Sequence, residues 1–397
     1  MPITLAIKSR RSLLEDLVGG REEETPHGRL LVARQDYPLD HRHGTYALRS
    51  ALEPPADILR LLSRQPPAAG VPTRLLHLDT ETTGLSGGTG TYVFLIGAGF
   101  FEADRFVLKQ YFMRDLDEEP ALIAAIETLL ADFDGVITYN GRGFDLPLLE
   151  TRFVLSRRRW PDHLWHLDLL SPARRLWSQR LPDCRLATVE THVLGMDRSD
   201  DVPGALIPSL YFHYLRSRGP GEMPRVFQHN RLDVLSLVAL TGWVARALAD
   251  PDGLGLTPEE YVGLGRLWEE VDEERGVECY RAALTRGLGS PSRERVLLRL
   301  ALRAKREARW DEACSLWETA ISDDAGFHLR PWEELAKYYE HRARDLAAAH
   351  RVASLALAQA QRRGAPEVVR ASLAHRLNRL CRRSHLSPPG PPGEQRA

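Results

Sequence analysis

The sequence predicts an α/β fold, a mixed sheet flanked by helices, followed by an all-helical region. Three observations carry this expectation. The runs RLLHLD (74–79), YVFLIGAGF (92–100) and RFVLKQYF (105–112) are apolar and β-rich at hairpin-like spacing, too closely joined for crossover connections. Helical and strand-like periodicities then alternate as far as residue 168, the order of a sheet covered by helices. Beyond Pro251 the chain turns Arg- and Ala-rich and helical throughout.

Taken in order, residues 1–70 mix charge, proline and short apolar stretches, and QPPAAGVP (65–72) reads as a linker, so this part is expected to be an N-terminal extension. After the three strands, residues 118–132 have helical periodicity, 135–139 form a short β-rich run, 146–159 are helical and 164–168 suit a fifth strand. Helical stretches near 186–194, 205–216 and 224–248 complete a domain expected to span 71–250. From 251 to 385 a repeat is visible. Ala301 is followed by Ala304, Ala313, Trp317 and Ala320, and Ala336 by Tyr339, Ala348, Val352 and Leu355 at the same offsets, with a looser copy at Gly265, Trp268, Tyr280 and Ala283. The spacing resembles tetratricopeptide repeats, paired helices whose small residues permit close approach; a plain helical bundle is the alternative. The Pro- and Gly-rich tail, 386–397, is expected to be disordered.

Composition narrows the function classes. A chain of 397 residues should hold two or three domains, each able to bury a core. The longest uncharged run, 82–101, holds six glycines and five Ser or Thr residues, which argues against a transmembrane helix. Lys8, Arg10, Arg11, Glu15 and Asp16 interrupt any apolar leader, so neither a signal peptide nor a membrane partner is expected, and the location expected is cytoplasmic. Cys184, Cys279, Cys314 and Cys381 lie far apart without a CxxC pair, against both a zinc ribbon and a disulfide framework. With 53 basic and 54 acidic residues the net charge is -1, so no global basic field marks a nucleic-acid binder. Locally the balance differs: between Arg142 and Arg185 nine arginines stand against five acids, a patch able to bind phosphates, or equally a solvated helix surface.

The chemistry-bearing residues fall in three segments. In DTETTG, at the end of the first strand, alternation puts Asp79 and Glu81 on one face. Adjacent carboxylates there repel unless a hard cation such as Mg²⁺ lies between them; two solvated acids would read the same. In YNGRGFDLP, Asp145 enters a helix with Pro147 just behind, which also suits a simple N-cap. In FQHNRLD, His229 and Asp233 share a helix face, as an ordinary surface pair would. A rival set is His163, His166 and Asp168, with His77 alternating onto the face of Asp79; three ligands without a partner motif favour structural roles over a zinc site.

Together, DxETTGL (79–85), NGxxFD (140–145) and HNxxD (229–233) resemble the three motifs of the DEDD exonucleases, on a ribonuclease H-like fold. More narrowly, LSGGTGTYVFLIG, DVPG (201–204) and HNRLD resemble the bacterial YprB-like family, which also carries a helical repeat tail. The resemblance implies a metal-dependent 3′–5′ exonuclease with two ions, Mg²⁺ or Mn²⁺. Asp79 would bridge both, Glu81 and Asp233 would complete one, and Asp145 would hold the other. Such a pair generates a hydroxide and stabilises the leaving 3′ oxygen. His229 stands at the spacing where the family's tyrosine class has Tyr, so it is either the general base or a structural neighbour of Asp233. Asn140 resembles a substrate-contacting position, while Leu85, Phe144, Tyr92 and Trp160 are candidates to stack on a terminal base. The expected partners are DNA or RNA, and a protein partner for the helical repeats. A structure-selective endonuclease or a non-enzymatic interaction platform would share these residues or this architecture.

Overall fold

The computed structural model describes residues 13–52, 56–62, 74–84, 88–322 and 327–384. The linker read at 65–72, Leu85 and the tail 386–397 lie outside them. The chain divides into two compact units, 1–256 with 263–276, and 257–262 with 277–397.

Among the described residues the first unit holds nine strands: β1 (Gly20–Thr25), β2 (Gly28–Pro38), β3 (Arg42–His43), β4 (Tyr46–Ala47), β5 (Leu75–Thr82), β6 (Val93–Glu102), β7 (Arg105–Phe112), β8 (Gly135–Thr138) and β9 (Trp165–Asp168). Seven form one mixed sheet in the order β1-β2-β7-β6-β5-β8-β9, and β3 with β4 forms a small ribbon. The pairs β5–β6 and β6–β7 are antiparallel, as hairpin-length connections require, while β5–β8 and β8–β9 are parallel. β1 and β2, from the segment expected to be an N-terminal extension, join this sheet: β2 pairs with β7 over eight residues, from Leu31–Phe112 to Pro38–Arg105. The strand was hidden because Leu30, Leu31, Val32 and Ala33 are all buried. A strand covered on both faces shows no alternation and reads only as a short apolar stretch among charges.

Helices at Glu119–Leu130, Asp145–Leu155, Ile207–Ser217 and Met223–Ala249 lie where periodicity puts them. An eight-residue helix, Leu170–Trp177, was not expected; its Pro172 sits in the first turn, where its missing N–H is harmless. The helix Met223–Ala249 is long and apolar enough to cross a membrane, but 78% of its most apolar window is buried inside the protein, packing Val234, Leu235 and Val238 on Leu48, Ala51, Phe106 and Leu108. Residues 48 and 51 thus tie the N-terminal segment to the domain core.

Two glycines bring that helix down onto the sheet. In β6, Gly97 pairs with Asp79 on one side and Gln110 on the other. A Cβ at Gly97 would lie 2.3 Å from Asn230 Oδ1 and 2.8 Å from Val234 Cγ2, and one at Gly99 2.7 Å from Val234 Cγ1. The GAG step of the strand is therefore a seat for the helix carrying Asn230 and Asp233. Gly97→Ala should lower stability by about 1–3 kcal/mol, the usual range for overpacking. Because Asn230 must move, the helix carrying it should be displaced, and thermal melting of the variant would read the loss.

In the second unit, helices Ser292–Arg306 and Trp310–Ser322 precede Leu329–Lys337, Leu346–Arg362 and Glu367–Ser384. The repeated positions Ala301, Ala304, Ala313, Trp317, Ala320, Ala336 and Ala348 are buried, whereas Tyr339 and Val352 are half-buried and Leu355 is 57% exposed, so the second copy of the pattern departs from the first at three positions.

Candidate active site

The site forms where β5 outruns its neighbour. β8 pairs only with Leu75, Leu76 and His77 of β5, so from Leu78 onward that edge is open to side chains from elsewhere, at the carboxyl end of parallel strands where open sheets form crevices. The register with β6 shifts between Glu81 and Thr82, a bulge of the kind that re-aims side chains.

The turn after β8 fills the gap. Asn140 adopts φ +64°, a left-handed conformation that Asn tolerates, and its N–H donates to Asp168 Oδ1 at 2.7 Å. Gly141 must be glycine, since a Cβ there would lie 2.3 Å from Thr138 Oγ1. Closed by Gly143 N–H to Asn140 O and Leu146 N–H to Gly141 O, the turn delivers Asp145 to the first turn of its helix, where it accepts a hydrogen bond from Thr80 Oγ1. Burial lifts the Asp145 carboxyl to about 6, against the lowering effect of that hydroxyl and of the helix N-terminus.

From the long helix, Asn230 donates through Nδ2 to Asp79 Oδ2 at 2.9 Å, and Gln110 Nε2 donates to Asn230 Oδ1 at 2.9 Å and to the Phe227 carbonyl at 2.8 Å. His229 Nε2 lies 3.9 Å from Glu81 Oε1 and 3.7 Å from Asp233 Oδ2. Burial, then the charges of Asp233, Glu81 and Asp145, hold the Asp79 carboxyl well above the carboxylate range. Glu81 is pushed up to about 8, by burial first, with His229 opposing and Asp233 and Asp145 adding to the rise. The expected acids therefore do come together.

Around them stands a network that sequence reasoning missed. Arg198 donates to Glu190 at 2.8 Å and also bonds Asp201 and Asp233. Asp201, the acid of DVPG, meets His229 Nδ1 at 2.7 Å. Ser236 donates to Glu190 and lies 2.6 Å from His43 Nε2, so the N-terminal segment reaches the same network. Burial lowers the His229 pKa, but the Asp201 hydrogen bond and the charges of Asp233 and Glu81 outweigh it and lift the group to about 9. In this state the imidazole is protonated at neutral pH, which qualifies the general-base expectation.

Of the other sequence candidates, Asn140 is exposed and Phe144 half-buried, while Tyr92 is covered by the Arg152 guanidinium 4.1 Å from its ring centroid and Trp160 packs edge-on against Phe153; these two serve packing rather than stacking on a base. The rival metal set is dispersed: His166 Nε2 bonds Thr138, His163 Nε2 bonds the Phe133 carbonyl, Asp168 holds the Asn140 turn, and His77 lies buried beside Phe101 and Phe106.

Among the described residues no three His, Cys, Asp or Glu side chains stand in a ready-made coordination cage, and Asp233 is engaged by Arg198. The donor chemistry nevertheless fits a hard divalent cation. Asp79, Glu81, Asp145, Glu190, Asp201 and Asp233 supply carboxylate oxygens, and the cations bonded to them are Arg198 and His229. Like charges this enclosed either hold protons or bind cations.

Residues 76–245 match the RNase_H_2 family of the RNase_H superfamily, whose members are generally nucleases acting on nucleic acid and typically use divalent metals. Over 340 residues the chain is 33% identical to "Uncharacterized protein YprB" of Bacillus subtilis (strain 168), an overlap of 83% of this chain and 81% of that protein, and it belongs to the YprB family. Among solved structures, the family B DNA polymerase of the hyperthermophilic archaeon Pyrobaculum calidifontis is similar at 17% identity and a TM-score of 0.37, over 53% of this chain and 29% of the polymerase.

Proposed function

We propose that the protein is a two-metal-dependent 3′–5′ exonuclease acting on DNA or RNA. The observation that carries this reading is the meeting of Asp79, Glu81, Asp145 and Asp233 from three separate segments, with the carboxyls of Asp79, Glu81 and Asp145 raised first by burial and then by neighbouring acids. Mg²⁺ or Mn²⁺ would bring the Lewis acidity that in-line phosphodiester displacement requires. Asp79 would serve both ions, Glu81 and Asp233 would help to hold one and Asp145 the other, each supplying carboxylate oxygens of the kind a hard cation takes. Asn230, braced by Gln110, fixes the Asp79 carboxylate. Asp201 holds His229 by Nδ1 so that Nε2 faces Glu81 and Asp233, placed to take a proton from the attacking water once the surrounding acids are neutralised. Asn140, Phe144 and Leu85 contact the terminal nucleotide, and the helical unit recruits a protein partner.

A 5′-labelled single-stranded DNA or RNA, incubated with Mn²⁺ or Mg²⁺ and with EDTA as control, tests the polarity. Metal-dependent shortening one nucleotide at a time is the expected ladder; internal cuts without a ladder would replace the exonuclease by an endonuclease.

The raised pKa values predict a pH dependence of the metal-free protein. Between about pH 7.5 and 9 the folded protein still binds protons at Glu81 and His229 that the unfolded chain has released, so stability falls as pH rises through this window. His43, His77 and His166, held near 4 by burial, are neutral in the folded state and, above about pH 7.5, in the unfolded chain as well, so they contribute no slope there. Melting in EDTA should therefore drop by several degrees from about pH 7.5 to 9, given roughly 2–4 °C per kcal/mol for a domain of this size. Glu81→Gln should flatten the profile; an unchanged slope would show that Glu81 is not the titrating group.

A further inference from the structure

We propose that the arginine-lined cavity beside the Asn140 turn, outside the carboxylate cluster, grips a backbone phosphate of the nucleic-acid strand; this rests on the nuclease reading and adds where the strand is held. The cavity encloses about 430 Å³ and is lined by Arg142, Arg174, Arg175, Asn140, His166 and Asp168 among others, room for one nucleotide unit. Its charge is one-sided. Arg175 is paired with Glu270 at 2.6 Å, but Arg142 and Arg174 are exposed and their guanidiniums make no ion pair among the described residues. Asp168 does not neutralise them by contact, because its two oxygens accept from the backbone N–H groups of Asn140, Leu170 and Arg142. His166 adds no charge at neutral pH: burial lowers it to about 4, and its Nε2 is engaged by Thr138.

The position follows from the same turn that builds the acid cluster. Arg142 lies three residues before Asp145, so one rigid loop sets a carboxylate on one side and a guanidinium on the other. A polyanion approaching six carboxyl groups on a chain of net charge -1 needs a local positive anchor, and planar guanidiniums bind phosphate oxygens in forked pairs.

The test is binding of a fluorescent single-stranded oligonucleotide to full-length Asp79→Asn protein, with and without Arg142→Ala plus Arg174→Ala, across a salt series. Each phosphate contact contributes about 0.7 to the slope of log K against log salt for single strands. The double substitution should weaken binding at least tenfold at low salt and reduce the slope by about 0.7, with melting unchanged. A conservative Arg142→Lys plus Arg174→Lys protein should keep most of the slope. Strong oligonucleotide binding with an unaltered slope would overturn the pocket while leaving the nuclease reading intact. No binding by the parent protein, together with no cleavage by the unmodified chain, would overturn both. If a nucleoside 5′-monophosphate bound as tightly as the oligonucleotide and lost its binding in the double variant, the cavity would be a mononucleotide site and the strand-phosphate assignment would fall.

Discussion

Asp79→Asn should abolish metal-dependent hydrolysis and at the same time raise the melting temperature of the metal-free protein. The two effects have one cause. Asp79 sits on β5 with Glu81 on the same face, Asp145 bonded to the neighbouring Thr80, and Asp233 close enough to raise its pKa. In the folded, metal-free state its charge is disfavoured by burial and by three other acids, so a neutral amide of the same shape relieves repulsion. The amide oxygen can still accept from Asn230 Nδ2, and Gly97 beside it is untouched. What is lost is the one carboxylate proposed to serve both ions. Turnover should fall by at least roughly 10³-fold, the upper end of what removing a single electrostatic group produces, and paired melting curves with and without Mn²⁺ should show stabilisation by metal in the parent and none in the variant. A folded Asp79→Asn protein with undiminished turnover would remove Asp79 from the chemistry.

The second large effect belongs to His229. As general base its replacement by Ala should lower the rate by about 10² to 10⁴. With the imidazole lifted to about 9 by Asp201, Asp233 and Glu81 against the opposing effect of burial, base action at neutral pH requires that the acids be neutralised first. The parent's rate should therefore rise with pH to a plateau whose midpoint moves down as metal concentration increases, and His229→Ala should lose that limb. Asp201→Asn, which removes the charge at Nδ1 while keeping a hydrogen-bonding group, should shift the midpoint and spare most of the plateau. A rate for His229→Ala within a few-fold of the parent at every pH would leave His229 as a structural partner of Asp201.

The carboxylates were legible because their signals are local. Alternation alone puts Asp79 and Glu81 on one face, a four-residue step aligns His229 with Asp233, and the NG step announces the turn that delivers Asp145. The residues that support them were not, because their partners are distant in sequence: Arg198 bonds Asp233, Ser236 joins His43 to Glu190, and Gln110 reaches Asn230. Signals existed in part. Gln110 is the one amide in β7, set between Lys109 and Tyr111, and Asp201 belongs to the DVPG motif. Nothing local marks Arg198 in a chain whose basic residues are nearly all arginine. β2 escaped notice for the opposite reason, since burial on both faces erases the alternation by which a strand is read.

The central claim is that the enclosed acids form a divalent-cation site. Calorimetric titration of Mn²⁺ into the full-length protein at pH 7, in two buffers of different ionisation enthalpy, tests it most directly. Glu81, at about 8, must give up its proton to become a ligand, so binding should be saturable and accompanied by proton release, and Asp79→Asn should lose both. Equal, proton-neutral Mn²⁺ uptake by the parent and by Asp79→Asn would contradict the account.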